Sequence, residues 1–390
     1  MRKIKLLFYN GSLRMGGIER VMIDVLESLD KKKFDITLVI EDDAGELNIF
    51  AKSIPNEINL IYLKSKELIK KTEFYKYNRR KNILAKVMYG IMMKYEGVVK
   101  RKNLKKISEN RYDVIVDFDM GLSKYISYFN CNKKIVWIHA SITNWYNRKD
   151  KIYRLGKRLE KYNKIVTICD EMKNETINLY PFLERKILRI YNPVSFIRIR
   201  NLAEANTKKY MPLIEEKYIV AVMRLTEKQK DFDTLINAWL ELKNKKIHIK
   251  LLLLGDGPDR EKIKDKIRVA GLEDTILLLG NVENPYVWIK HAELLVHSSK
   301  YEGLPTILIE ALVLKKYIIS SECSTGPKEI LRNGQLGKLY KVGDYKTLAE
   351  LIQNKIIHDE SIDEKIIENN IKEYNKELVI EKYEALFEEK

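Results

Sequence analysis

The sequence predicts an α/β chain built from two Rossmann-like parallel-sheet domains facing a cleft. Three observations lead there. Short apolar runs alternate with stretches of helical spacing along the whole chain, the signature of strands buried on both faces by crossover helices. The chain opens with a strand (Ile4 to Tyr9), the loop NGSLRMGG and a helix, which is how a Rossmann-like half begins. A breaker, Asn192-Pro193, falls near the middle and separates two such series. A length of 390 residues suits two domains of ordinary size. The expected boundaries are 1–194 for a first domain, 195–214 for a linker and 215–373 for a second. Residues 374–390 form a last helix expected to cross back to the first domain.

Composition narrows the class. Hydrophobic residues make up 45% of the chain, ample for a core in each domain. Cys131, Cys169 and Cys323 are too few and too scattered for a disulfide framework or a zinc site, so a reducing cytosol is the simplest setting. No uncharged apolar run approaches the roughly 18 residues of a membrane-spanning helix, and the apolar run of MRKIKLLFYN is too short for a signal peptide. The expected location is cytoplasmic, peripheral on the inner face of the cell membrane. The net charge of +17 is unevenly placed: residues 1–200 hold 42 basic against 23 acidic residues, and residues 201–390 hold 30 against 32. Lys64 to Lys106 alone has 15 basic and three acidic residues. So local a patch implies a polyanionic partner surface.

Taken in order, Ile18, Val21, Met22, Val25, Leu26 and Leu29 recur at helical spacing after Gly16-Gly17. Two glycines at a helix N-terminus let a ligand approach the backbone, although a tight connection gives the same pattern; no GxGxxG is present, which argues against a dinucleotide site. Phe34 to Ile40 is the next strand. The basic segment 64–106 interleaves Tyr75, Tyr77, Tyr89, Met92, Met93 and Tyr95 with its charges and reads as one or two amphipathic helices. Anionic lipid headgroups fit it better than nucleic acid, for which no motif is recognisable. Tyr112 to Phe118 is a buried strand ending in Asp117-x-Asp119; the same DxD spacing at Asp231-x-Asp233 shows how cheaply it arises, and no metal is expected. Lys134 to Ile138 ends at His139, on the ligand-binding edge of a parallel sheet, where a packed histidine is the competing interpretation. Lys164 to Cys169, with Asp170 as N-cap of the next helix, and Ile187 to Tyr191 complete the first half.

The second half opens with Tyr218 to Met223, running straight into Arg224, with Lys228 and Lys230 a few residues on. A forked guanidinium and an ammonium suit a diphosphate. Of the two lysines, Lys230, directly before Asp231-Phe232, is the one assigned that role. Lys250 to Leu254 leads into GDGPD, a tight turn with Pro258 at or near the first helical position. Ile276 to Leu279 precedes Asn281 and Val282, and Ala292 to Val296 ends at His297-Ser298-Ser299. Then come Glu302, Gly303 and Leu304, with Pro305 expected as the first helical residue. Thr306 to Leu314 is apolar almost all round except for Glu310, a costly carboxylate unless hydrogen-bonded. The helix N-terminus suits a phosphate, and Glu310 lies about 7.5 Å further along the axis at about 1.5 Å per residue. That is roughly the offset between a diphosphate and the ribose hydroxyls of one nucleotide.

Glu302 and Glu310 resemble the Glu-x7-Glu element of family 4 retaining glycosyltransferases, which have the GT-B fold. YEGLPTILIEAL followed by SSECSTGPKEIL is similar to that family's donor-site signature over more than thirty residues. Gly16, Gly17, Glu19 and Arg20 match the family's GG-x-E-R segment, His139 its histidine near the donor sugar, and Asn192-Pro193 its interdomain junction. The resemblance implies transfer of a sugar, with retention, from a nucleotide-diphosphate sugar, and a UDP-linked one, since a similar Ser-x-Cys-x-x-Gly-Pro segment accompanies that carrier. It implies Arg224 and Lys230 on the diphosphate, Glu302 on the donor sugar or its phosphate side and Glu310 on the ribose. It further implies His139 on a sugar hydroxyl and Gly16, Gly17, Gly303, Leu304, Pro305 and Thr306 along the donor. The backbone at Asn281 and Val282 would read the base. No cofactor or metal is required. The expected partners are the nucleotide sugar, a lipid-linked glycan acceptor as in capsule and cell-surface polysaccharide assembly, and an anionic membrane through 64–106; no nucleic acid is expected. Two alternatives remain at this stage: a non-hydrolysing UDP-sugar epimerase of the same fold, and a nucleic-acid-binding protein using the basic half.

Overall fold

The computed structural model describes residues 2–146, 148–205 and 216–389. Contacts divide the chain into two units: Met1–Ile168, Lys173–Pro193 and Ile380–Lys390 form the first, and Cys169–Met172 with Val194–Val379 the second.

The first unit is a seven-stranded parallel sheet of β1 (Ile4–Asn10), β2 (Phe34–Asp42), β3 (Asn59–Lys64), β4 (Val114–Asp117), β5 (Lys133–Ile138), β6 (Lys164–Thr167) and β7 (Ile187–Arg189). Their order is β3-β2-β1-β4-β5-β6-β7. Leu6, Leu7, Phe8, Val114, Ile115 and Val116 pack between helices on both faces, which is why these strands read as unbroken apolar runs. Strand order reverses between β1 and β4, so their C-terminal ends form the crevice where ligands of such sheets bind. Ile380–Lys390 also belongs to this unit: Tyr383 stacks on Trp137 with centroids 5.0 Å apart, and Phe387 meets Phe8 edge-on at 5.9 Å.

The basic segment is two helices, α2 (Lys66–Asn78) and α3 (Ile83–Ser108). Two of its lysines are not at the surface. Lys64 is buried among Glu41, Asp42 and Glu96 at 2.8–3.0 Å, and Lys100 is buried against Glu41 at 2.5 Å and the Tyr9 hydroxyl at 2.9 Å. Each charge is taken out of water only because carboxylates surround it. The other thirteen basic residues of 64–106 are exposed. So is an apolar stripe on α3: Leu84, Val87, Ile91, Tyr95 and Val98 recur every three or four residues and are each at least half exposed. The opposite face, with Ala85, Glu96, Lys100, Leu104 and Ile107, is buried.

The second unit is a six-stranded parallel sheet of β8 (Tyr218–Val222), β9 (Lys250–Leu254), β10 (Ile276–Gly280), β11 (Leu294–His297), β12 (Ile318–Ser321) and β13 (Lys338–Tyr340), in the order β10-β9-β8-β11-β12-β13. Its core gathers Ile219, Ala221, Leu251, Leu253, Leu294, Val296 and Ile319 around the fully buried Trp239. Two local expectations, for residues 196–203 and for Pro305, are corrected. Phe196–Ala203, expected as linker, is a helix capped by Ser195, with Ile199 and Ala203 buried; its eight residues are too few for the periodicity to stand out. Residues 206–214 of the expected linker lie outside the described residues. Pro258 precedes the N-cap Asp259 of the helix Arg260–Val269, and Pro305 is itself the N-cap of the helix Thr306–Val313. In both places the proline stands before the first helical residue, where its missing N–H costs nothing.

Candidate active site

In the second unit the strand order reverses between β8 and β11, and the chain leaving these two strands builds the site. After β11 it turns through Ser298-Ser299 and pairs with the segment after β8. Lys230 bridges Ser299, Asp231 N–H donates to the Ser298 carbonyl at 3.1 Å, and Ser298 Oγ donates back to the Asp231 carbonyl at 2.9 Å. Asp231 then caps the helix Phe232–Asn244 by accepting from the Thr234 amide and hydroxyl. These contacts bring Gln229, Lys230, His297, Ser299 and Glu302 together around one carboxylate.

Glu302 Oε1 is ion-paired to Lys230 Nζ, accepts from Ser299 Oγ at 2.7 Å and lies 3.3 Å from His297 Nε2. Oε2 accepts from Gln229 Nε2 at 3.1 Å. Both charged side chains are nearly buried, at 11% and 10% exposed for Lys230 and Glu302. Burial alone would raise the Glu302 pKa, but Lys230 and then His297 hold it well below the ordinary carboxylate range, so the group stays ionised. Burial holds the His297 pKa below its usual value, against the opposing pull of the Glu302 carboxylate and with the help of Lys230, which keeps the ring neutral. The backbone on either side of Glu302 is fixed by the SECSTGP loop. Glu302 N–H donates to the Ser324 carbonyl at 2.7 Å, and Thr325 Oγ1 donates to the Glu302 and Gly303 carbonyls at 3.0 and 2.9 Å. Gly326 has φ +96°, and a Cβ there would come within 2.8 Å of the Gly303 carbonyl. Only glycine allows this approach.

Arg224 follows β8, is exposed, and makes no ion pair with a described residue. Its backbone is held by the GDG turn. Leu225 N–H donates to the Asp256 carbonyl at 3.0 Å, and a Cβ on Gly255 or Gly257 would strike the carbonyl of Met223 or Leu225. Lys228, the other lysine weighed from sequence, is exposed. Leu304 and Pro305 are buried, while Gly303, Thr306 and Glu310 are half-buried along the start of the Thr306–Val313 helix. Asn281 is exposed and Val282 half-buried just beyond β10. The structure thus puts Lys230 and Glu302 in direct contact. Sequence reasoning missed Gln229, His297 and Ser299 as members of the same cluster. The signal for His297 was available: like His139, it ends a buried parallel strand.

The remaining candidates lie in the first unit. Gly16 is the extended N-cap of α1 (Gly17–Ser28), and a Cβ on it would fall 2.2 Å from Glu19 Oε2. Glu19 folds back to accept from Ser12 Oγ at 2.7 Å, whereas a side chain at Gly17 would meet only open space. His139 directly follows β5 with its ring 4.6 Å from Phe118; burial lowers its pKa to about 3, and its buried Nε2 has no partner among the described residues. The Asp117-x-Asp119 pair is used structurally. Asp117 accepts from the Tyr162 hydroxyl and from Leu122 N–H, and Asp119 from Gly11 and Gly121 N–H at 2.7 and 2.9 Å. Burial and then repulsion from Asp119 push the Asp117 carboxyl up, and burial with repulsion from Glu41 pushes up that of Asp119. Among the described residues no group of three or more His, Cys, Asp or Glu side chains is placed to hold a metal ion.

Two parallel-sheet units of this topology define the GT-B class, the fold that the sequence led us to expect. Residues 204–373, a stretch lying within the second unit, match the model of the family Glycosyl transferases group 1. An uncharacterized glycosyltransferase of Methanocaldococcus jannaschii is 32% identical over 54% of this chain; the match spans 53%, about half, of that relative's length. An uncharacterized glycosyltransferase of Haemophilus influenzae is 25% identical over 99% of this chain and 100% of its own. The Anabaena protein HepE, solved in complex with UDP, superposes with a TM-score of 0.74 at 16% identity, covering 98% of this chain and 99% of that one.

Proposed function

We propose that the chain is a retaining glycosyltransferase that moves a sugar from a nucleotide-diphosphate sugar, UDP-linked, to a lipid-linked or growing polysaccharide acceptor. The observation that carries this is the buried Lys230–Glu302 pair at the switch point of the second sheet, beside the N-terminus of the Thr306–Val313 helix. When the anomeric carbon–oxygen bond breaks, negative charge develops on the leaving diphosphate. Arg224, Lys230 and the helix amides meet that charge, and Glu302 holds the sugar side. Glu310 holds the ribose and the backbone at Asn281 and Val282 takes the base. The acceptor hydroxyl forms its bond on the face the diphosphate leaves, and its proton passes to the departing phosphate oxygen. This chemistry supplies its own base, so no metal or cofactor enters it.

The test is thermal melting with UDP, GDP and ADP. A nucleotide at about 100 times its dissociation constant adds about 2.7 kcal/mol to the stability. A rise with UDP that is lost in Glu310→Ala supports the assignment, and no rise with any of the three overturns it. An epimerase of the same fold would interconvert UDP-sugars without an acceptor, which product analysis separates.

Within the same proposal, the α2–α3 segment docks the enzyme on an anionic membrane surface, peripherally and from the cytoplasmic side. No helix among the described residues is long and apolar enough to cross a membrane. The stripe from Leu84 to Val98 offers apolar side chains to the acyl boundary. The exposed Lys94, Arg101, Lys102, Lys105 and Lys106 lie on the same helix, whose single acidic residue, Glu96, is buried. A second copy of the same stripe would bring like charges together, which disfavours self-association. Val87→Asp with Ile91→Asp should release the protein from phosphatidylglycerol vesicles without lowering its melting temperature. Retention of the double variant on those vesicles would refute this mode of docking.

A further inference from the structure

His297 is 1% exposed, ends β11 beside its sheet partner Ser320, and makes three side-chain contacts. Nδ1 is 2.9 Å from Ser320 Oγ, and Nε2 is 3.1 Å from Ser299 Oγ and 3.3 Å from Glu302 Oε1. Counting protons settles the direction of each bond. An ionised Glu302 has none to give, so Ser299 Oγ donates its single proton to Oε1 at 2.7 Å. Nε2 must then carry a proton, because a bare nitrogen there would face both the spent hydroxyl and the carboxylate with a lone pair. A neutral ring protonated at Nε2 leaves Nδ1 as an acceptor, and Ser320 supplies its proton. The Ser321 carbonyl also lies within reach of Ser320 Oγ, but at the longer distance of 3.1 Å. With Lys230, Ser299 and His297 all on Oε1, that oxygen is anchored; Oε2 has the Gln229 amide at 3.1 Å and a second lone pair left for a ligand.

We propose that His297 is a positioning residue: as the Nε2–H tautomer it locks Glu302 in the one orientation that presents Oε2 to the sugar or diphosphate of the donor. This rests on the reading of Glu302 as a donor contact. A residue at 297 with no donor would remove one of the three holds on Oε1, leaving Lys230 and Ser299, and widen the range of carboxylate orientations. Misplacement by even about 1 Å costs on the order of a hundredfold in rate. Ser320 is the second member of the device, since its proton selects the tautomer.

The experiment has two arms on the full chain. Nitrogen-15 histidine spectra at neutral pH, with the His297 signal assigned by its loss in His297→Gln, should show a neutral ring protonated at Nε2. A ring protonated at Nδ1, or a charged ring, overturns the proposal whether or not any nucleotide binds. The second arm measures binding of UDP and turnover of UDP-glucose, UDP-galactose and UDP-N-acetylglucosamine. His297→Ala should lower turnover roughly 10- to 100-fold with UDP affinity unchanged to within about twofold, and His297→Gln, which keeps a donor, should recover most of it. In a Glu302→Gln background His297→Ala should have no further effect; an equal loss there means that the ring does not act through Glu302. Should His297→Ala fail to fold, Ser320→Ala takes its place with the same expectations. Wild type that binds none of these nucleotides defeats the glycosyltransferase reading and leaves the ring signal to decide the tautomer.

Discussion

Replacing Lys230 with alanine is expected to cost both stability and turnover. The Lys230–Glu302 pair is nearly buried, so removing the ammonium strands a carboxylate that is otherwise charge-paired. Breaking such a pair from one side typically costs about 3–5 kcal/mol, far more than the pair is worth against an apolar replacement. Turnover should fall about 10²- to 10³-fold, because an oriented cation is lost where charge develops in the transition state. Adding Glu302→Gln to the same chain separates the two effects. The double variant should regain most of the lost stability, since no uncompensated charge remains, and none of the turnover. The acid limb provides a further check. A carboxylate held below its unfolded pKa stabilises the fold fully above about pH 4.5 and loses that contribution as the pH falls. Lys230→Ala should therefore flatten the fall in melting temperature on acidification. Melting curves and sugar transfer measured on the single and double variants decide the matter. A Lys230→Ala enzyme as stable and active as wild type would remove Lys230 from the site.

The second large effect is expected at Tyr383→Ala in the C-terminal helix Lys376–Glu388. Tyr383 and Phe387 are inside the first unit's core, packed on Trp137, Phe8 and Phe34. Truncating a buried aromatic ring removes its transfer energy and leaves a cavity, together about 3–5 kcal/mol. Lys33→Ala, which breaks only the ion pairs to Glu384 and Glu388 at 3.0 Å, should change stability little, because Lys33 is 46% exposed and such pairs are screened. Denaturant unfolding of the two variants makes the comparison. Similar small losses for both would mean that the helix is not part of that core.

Strand positions were legible because strands covered on both faces must be apolar throughout, and runs such as KLLLL or YDVIVDF have no other use in a compact α/β chain. Two strands escaped. In β3, NLIYLK ends at Lys64, and the burial of Lys64 among three carboxylates from Glu41, Asp42 and Glu96 is invisible from its neighbours in sequence. β13 has only three residues, too few to show a pattern. The helix after Pro305 was legible for a local reason: Gly303, Pro305 and the spacing from Glu302 to Glu310 are set by backbone sterics and helix pitch over a dozen residues. Family resemblance in that same stretch fixed the class.

What only the tertiary structure decided is which of these residues meet. Lys230 and Glu302 are 72 positions apart, and whether Lys228 or Lys230 pairs with the carboxylate depends on the bridge between Lys230 and Ser299. His297 looked like the polar end of a strand; its role emerged when the register of β11 against β12 set Ser320 beside it. The 64–106 segment shows the same division. Its charge could be counted from sequence, but the fold chose which two lysines to bury and which apolar residues to leave outside. Periodicity, caps and breakers act over one turn or one pleat, so a sequence carries them openly. Register and strand order join residues far apart in the chain, and those contacts exist only once the sheet has closed around its core.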